Sequence, residues 1–208
     1  MKIYFDGCSW THGTELENKK ETRFSKLISD YYNAEEYNLG EMGGCNRRIA
    51  RNLLDHNLDD FDLFVIQMSI ESRTEYYDDE QHKFVNVRPT IPYKGNNKKK
   101  LFWNNYYEDI YNDKFGYSDE LIYYNFFRSL LKNKRHIIIT ISKRSKVPID
   151  MDISLKLKDT KSRIEVFKSW DYKVPYPTYR QCMAPMNHPN ELGHKIIAEM
   201  LTNYLDKT

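Results

Sequence analysis

Residues 2–16 read KIYFDGCSWTHGTEL. A short apolar run from Lys2 to Asp6 stops at Gly7-Cys8-Ser9, and a second glycine, Gly13, follows. The run has the length and character of a buried strand. A glycine at its end permits a tight turn and a close approach of backbone to a ligand. In an open α/β sheet, ligands gather beyond the carboxyl ends of the strands, and Ser9 lies at such an end. The stretch alone leaves two readings of Ser9: it caps the helix that follows, or it presents a reactive hydroxyl.

Outward from this stretch, strands and helices alternate. Residues 35–39, 61–68, 135–142 and 163–168 read as further strands, and the near-continuous apolar character of FDLFVIQM (61–68) places that strand in the middle of a sheet covered on both faces. Helical spacing of apolar residues runs through 23–32 (Phe24, Leu27, Ile28, Tyr31), 44–57 (Ile49, Leu53, Leu54), 118–133 and 190–205. Ser118 is the expected cap of the third of these, with Asp119 and Glu120 at its positive end. The last starts after Pro189. This order predicts a mostly parallel five-stranded sheet with helices on both sides. Residues 73–116 break it. They are polar and aromatic, hold Pro89, Pro92 and Gly95, and show no clean period. An irregular insertion carrying part of a substrate site or a contact surface is expected there. At 208 residues the chain fits one domain, 1–208, with that insertion.

Charge narrows the function. With 32 Lys+Arg against 30 Asp+Glu the net charge is +2, which gives no reason to expect a nucleic-acid partner. Three cysteines, Cys8, Cys45 and Cys182, form neither a disulfide framework nor paired metal spacing, so no metal or cofactor is expected. No signal peptide or membrane-length apolar run is evident, and the expectation is a soluble cytoplasmic protein. The 17 tyrosines, many between residues 76 and 124, suit an interface or a sugar-facing surface, or reflect AT-rich coding.

Three further stretches bear on Ser9. NLGEMGGCNRRIAR (38–51) puts glycines and Asn46 between a strand end and a helix, where outward N–H groups can hold a developing negative charge. FVIQMSIESRTE (64–75) ends the central strand with Gln67, Ser69, Glu71 and Arg73. MNHPNELGH (186–194) sets His188 in a loop just before the last helix, a place suited to a base.

With these residues in order, the sequence resembles the SGNH (GDSL-like) hydrolases, in particular a divergent group common in phages and marine bacteria whose first block reads Gly-Cys-Ser-Phe-Thr-x-Gly. Gly7-Cys8-Ser9-Trp10-Thr11-His12-Gly13 matches that block. Gly43-Gly44-Cys45-Asn46 matches the second, Gln67-Met68-Ser69 with Arg73 the third, and His188-Pro189 with Gly193-His194 the last. The resemblance implies a flavodoxin-like three-layer α/β/α sandwich and hydrolysis of an acyl ester on a small molecule or carbohydrate. It implies Ser9 as nucleophile and His188 as general base. The oxyanion would be held at Ser9, Gly43, Asn46 and Ser69, and Trp10, His12 and Arg73 would lie on the substrate side.

Two departures matter. Ser69 stands where the family's third block has a longer asparagine. The residues before His188 (Pro185, Met186, Asn187) include no carboxylate where the family carries an aspartate. Asn187, a backbone carbonyl or Asp171 from an upstream loop could orient the imidazole, and a Ser-His dyad or incomplete triad is the expectation. The alternative is a catalytically degenerate protein that binds a glycan or nucleotide, or an interaction module. His194 reads as a helix residue hydrogen-bonded within the fold. Cys8 and Cys45 read as small packing residues. Arg73 either clamps a substrate carboxylate or phosphate, or pairs with Glu71 or Glu75.

Overall fold

A computed structural model of the chain describes residues 1–89, 97–141, 147–152, 158 and 179–208. The elements run β1 (Lys2–Asp6), α1 (Ser9–His12), α2 (Lys19–Thr22), α3 (Phe24–Tyr31), β2 (Glu35–Asn38), α4 (Asn46–Leu54), β3 (Leu63–Met68), β4 (Thr74–Asp78), β5 (Lys83–Val87), α5 (Asn97–Asn105), α6 (Asp113–Leu130), β6 (His136–Thr140), β7 (Met151–Asp152) and α7 (Glu191–Leu205). Among the described residues, one five-stranded sheet has the order β2-β1-β3-β6-β7, parallel at every pairing. The expected strand at 163–168 and Asp171 lie outside the described residues.

Strand alternation splits the core into two halves. Ile3, Phe5, Val65, Ile137 and Ile139 face one way and pack against Phe24 and Ile28 of α3 and Ile196, Ile197 and Leu201 of α7. Tyr4, Phe64, Ile66, Met68 and Ile138 face the other way, against Ile49 and Leu53 of α4 and Tyr124 and Phe127 of α6. The result is three layers, helices over both faces of a parallel sheet. All six residues of β3 are buried, as its unbroken apolar run requires. Each fully buried side chain of this size contributes about 1.5–3 kcal/mol.

Within 73–116, β4 and β5 form an antiparallel hairpin, and α5 lies further along the chain. The missing apolar period has a physical cause. The buried positions of β4 include two carboxylates, Glu75 and Asp78, which are 2% and 1% exposed. Both are partnered, Glu75 by Arg51 at 3.0 Å and Asp78 by Lys99 at 2.9 Å. The Lys99 contact holds Asp78 well below the usual carboxylate range.

The start of α6 corrects the Ser118 expectation. Asn112 is the cap, its Oδ1 accepting from the Lys114 and Phe115 amides, each at 3.0 Å, and Ser118 lies inside the helix. The apolar face alone hid this extra turn, because it begins with Asp113-Lys114 and passes through Gly116. That glycine is required by the close approach of Tyr111, whose Oη would be 2.1 Å from an added Cβ.

His194, on α7, is fully buried, and its Nδ1 accepts from the Phe24 amide at 3.1 Å. Burial, with the charges of Arg23 and His188 adding to it, pushes its pKa down to about 3. Below about pH 6.5 the unfolded chain therefore takes up a proton that the folded chain refuses. Stability contributed by the neutral ring is complete above that pH and is lost as pH falls, at about 1.4 kcal/mol per pH unit. Denaturation between pH 7 and 4 should show this slope in the wild type and a shallower one in His194→Gln.

Candidate functional site

The carboxyl ends of β1, β2 and β3 meet at one rim of the sheet. β1 passes through Gly7 and Cys8 into α1, which begins at Ser9. A Cβ on Gly7 would lie 2.4 Å from Thr11 Oγ1 and 2.7 Å from Gln67 Cβ, so only glycine fits. Gln67 holds the turn. Its Oε1 accepts from the Thr11 amide at 3.2 Å and hydroxyl at 2.7 Å, and its Nε2 donates to Cys8 Sγ at 3.0 Å. The cap position of α1 belongs to Cys8, which makes no side-chain cap bond, so Ser9 is not the cap. Among the described residues, the Ser9 hydroxyl has one hydrogen-bond partner, Cys8 Sγ at 3.7 Å.

After α1 the chain turns back through Gly13, with φ of 78°, and Glu15, with φ of 73°. The Thr14 amide donates to the Ser9 carbonyl at 3.0 Å, which fastens this turn to the serine backbone. A left-handed backbone at a residue with a side chain is uncommon. Here it aims the Glu15 carboxylate at a loop from the far end of the chain.

That loop carries His188. Its backbone is pinned by Ala184 N donating to His188 O at 2.7 Å and Asn187 N donating to Ala184 O at 3.0 Å. His188 Nδ1 lies 2.7 Å from Glu15 Oε2, and the Met186 amide donates to Glu15 Oε1 at 3.1 Å. Burial acts to raise the Glu15 carboxyl, but the hydrogen bonds from His188 and Met186 outweigh it and hold the group below its ordinary range. An ionised carboxylate only accepts, so the proton of a neutral ring sits on Nδ1 and the lone pair on Nε2. No hydrogen bond joins Ser9 Oγ to the His188 ring.

The second and third blocks interlock beside this. Asn46 Oδ1 accepts from the Ser69 amide at 2.7 Å, and Asn46 Nδ2 donates to the Ser69 carbonyl at 3.4 Å. Ser69 Oγ donates to Gly44 O at 2.5 Å and accepts from Arg73 Nη1 at 3.3 Å. Gly44 in turn abuts β1, with Gly7 O 3.0 Å from where its Cβ would stand. Gly43, at φ 81°, has the left-handed backbone that glycine accommodates. Beneath, Arg48 ties the strand ends together. Its Nη2 donates to Asp6 Oδ1 at 2.5 Å and Gly7 O at 2.7 Å, and its Nη1 donates to Leu39 O at 2.8 Å.

Trp10 is 6% exposed and belongs to the core half built on α3 and α7. His12 is held by Thr14 Oγ1 at 3.1 Å and Lys19 Nζ at 2.9 Å. An ammonium only donates, so the basic nitrogen of His12 is already occupied. Burial, then the charges of Lys19 and Arg23, keep its pKa low. Cys45 caps α4 by accepting from the Arg48 amide, and burial pushes its thiol up to about 12, far from a reactive thiolate. Among the described residues no three His, Cys, Asp or Glu side chains gather as a metal site, and no helix is long and apolar enough to cross a membrane.

No protein-family model matches the sequence, and no curated protein does. Solved structures do. A member of the lipolytic protein G-D-S-L family from Veillonella parvula aligns over 100% of both chains with a TM-score of 0.52 at 12% identity. A family two carbohydrate esterase from Clostridium thermocellum, solved with cellohexaose, aligns with a TM-score of 0.50 at 14% identity. That alignment covers 99% of this chain and 63% of the esterase, so this chain spans under two thirds of that protein. The chain has the SGNH-hydrolase fold.

Within the SGNH fold, the sheet rim where Ser9 emerges is the place where strand-end loops converge. Sequence reasoning missed Glu15 there because it sought a carboxylate next to His188 in the chain, whereas the partner comes from the turn after Ser9. The signal was present, in an acidic residue two positions past Gly13. The buried Arg48–Asp6 pair was also missed, since charges on a helix are ordinarily solvated. The one available clue was an aspartate closing an apolar strand.

Proposed function

We propose that this chain is a serine hydrolase of the esterase type that cleaves an acyl ester, with the ester borne by a carbohydrate. The observation that carries the reading is the 2.7 Å contact between Glu15 and His188. It supplies the carboxylate whose absence near His188 had pointed to a dyad or an incomplete triad. In this reading the Ser9 hydroxyl attacks the ester carbonyl while His188 Nε2 takes its proton. Glu15 fixes the ring tautomer and stabilises the imidazolium that forms. The Ser9 and Gly43 amides, with Asn46 beside them, receive the oxyanion. Ser69 supports that cradle through its bond to Gly44 O. His188 then protonates the departing alcohol, and water clears the acyl group by the same steps in reverse. The sugar component is supported by the fold shared with the C. thermocellum carbohydrate esterase and by the tyrosine-rich 76–124 region.

A fluorophosphonate probe should label the folded wild-type protein on Ser9 and leave Ser9→Ala unlabelled. Folded wild type that resists the probe would count decisively against the nucleophile assignment. A second reading, binding without turnover, is favoured by the Ser69 hydroxyl being committed to Gly44. Hydrolysis of short acyl esters that disappears in Ser9→Ala would eliminate it.

A further inference from the structure

Most half-buried or buried arginines near the rim have carboxylate partners. Arg23 pairs with Glu36 at 2.8 Å, Arg48 with Asp6 at 2.5 Å and Arg51 with Glu75 at 3.0 Å. Arg73, beyond β3, and Arg88, beyond β5, have no ion pair among the described residues. Among the described residues, neither carboxylate nearest Arg73 in sequence forms an ion pair with it. Glu75 is engaged by Arg51, and Glu71 lies against α6, its Cγ 3.0 Å from where Gly116 would carry a Cβ.

The two guanidiniums reach two segments that touch, since Ser69 Oγ donates to the Gly44 carbonyl. Arg73 Nη1 donates to Ser69 Oγ at 3.3 Å. Arg88 Cζ and Nη1 both lie 3.9 Å from where a Cβ on Gly43 would stand. Both side chains are half-buried. They are close enough to repel: burial first, and then the charge of Arg73, hold the Arg88 guanidinium below its usual range. Two like charges held together without a counter-ion are unfavourable, and an anion seated between them relieves the repulsion. A planar guanidinium fork matches the paired oxygens of a carboxylate or phosphate.

We propose that Arg73 and Arg88 form a subsite for an oxyanionic group, carboxylate or phosphate, beside the contact of Ser69 with the Gly43-Gly44 turn, so that the ester taken at this rim belongs to an anionic substrate. The substrate assignment rests on the hydrolase reading above; the anion subsite does not.

The probes are inorganic phosphate and malonate, added to the full chain. Binding is read by calorimetry, and competition is read against hydrolysis of neutral 4-nitrophenyl acetate. The subsite predicts binding, with a raised apparent KM for the ester. Arg73→Gln and Arg88→Gln should each weaken binding by about tenfold or more. Arg88→Lys, which keeps the charge but not the fork, should recover only part of the loss. Lys132→Gln, an exposed charge elsewhere, should leave binding unchanged. Tighter binding of malonate than phosphate assigns a carboxylate, and the reverse order assigns a phosphate. Absence of binding by both probes, or equal binding by wild type and both glutamine variants, overturns the subsite. Ester hydrolysis without anion binding removes the subsite and leaves the hydrolase. Anion binding by a protein that cleaves no ester does the opposite.

Discussion

Replacing Glu15 with glutamine should lower kcat by roughly 10³–10⁴-fold with little change in KM. Glutamine matches the carboxylate in size and can still bond His188 Nδ1 and the Met186 amide, so the loop geometry at 2.7 and 3.1 Å has a near-isosteric replacement. What is lost is the charge. A neutral amide offers its NH₂ as readily as its oxygen, so the ring can take the wrong tautomer. In the proposed mechanism the imidazolium also loses its counter-charge. Glu15→Asp retains the charge but falls one methylene short, and should sit between wild type and glutamine. Steady-state kinetics on a short acyl ester, with fluorophosphonate labelling rates as a second readout, checks this. Turnover unchanged in Glu15→Gln would show that His188 does not depend on this carboxylate.

The second large effect is on stability. Arg48 and Asp6 form an ion pair with side chains 6% and 0% exposed. Burial pushes the Asp6 carboxyl up, against the opposing pull of Arg48 and of the Asn52 and Gly7 hydrogen bonds. Taking one partner away leaves the other charge buried and unmatched, at about 3–5 kcal/mol. Arg48→Met should therefore lower the urea midpoint by about 2 M for a slope near 2 kcal/mol/M. Asp6→Leu should do much the same. The double variant, with no stranded charge, should recover a substantial part of the loss. Simple additivity of the two single effects would sink the argument. Arg48 also holds Gly7 O and Leu39 O, so the single variants loosen the approach to Ser9 as well as the fold.

The three-layer architecture was legible because its signals are local and repeated. Strands β1, β3 and β6 and the helices around Ile28, Ile49, Phe127 and Ile197 each show their buried faces in the sequence. Legibility failed where burial is achieved by charge. The β4–β5 hairpin buries Glu75 and Asp78 under Arg51 and Lys99, so no apolar alternation marks it. The same holds for Asp6 and Arg48. Glu15 escaped for a different reason: its partner is 173 positions away, and only the closed fold makes them neighbours. Ser118 misled because a good cap residue inside a helix looks identical, in sequence, to one at its start.

The bond between the turn after Ser9 and the loop around His188 ties together two segments 173 positions apart. A carboxyl-terminal segment transplanted from a relative whose imidazole brings its own acid would find Glu15 redundant. The reverse transplant would find no acid at all. On the proposed roles, the first and last blocks of this protein form a matched set, to be exchanged together.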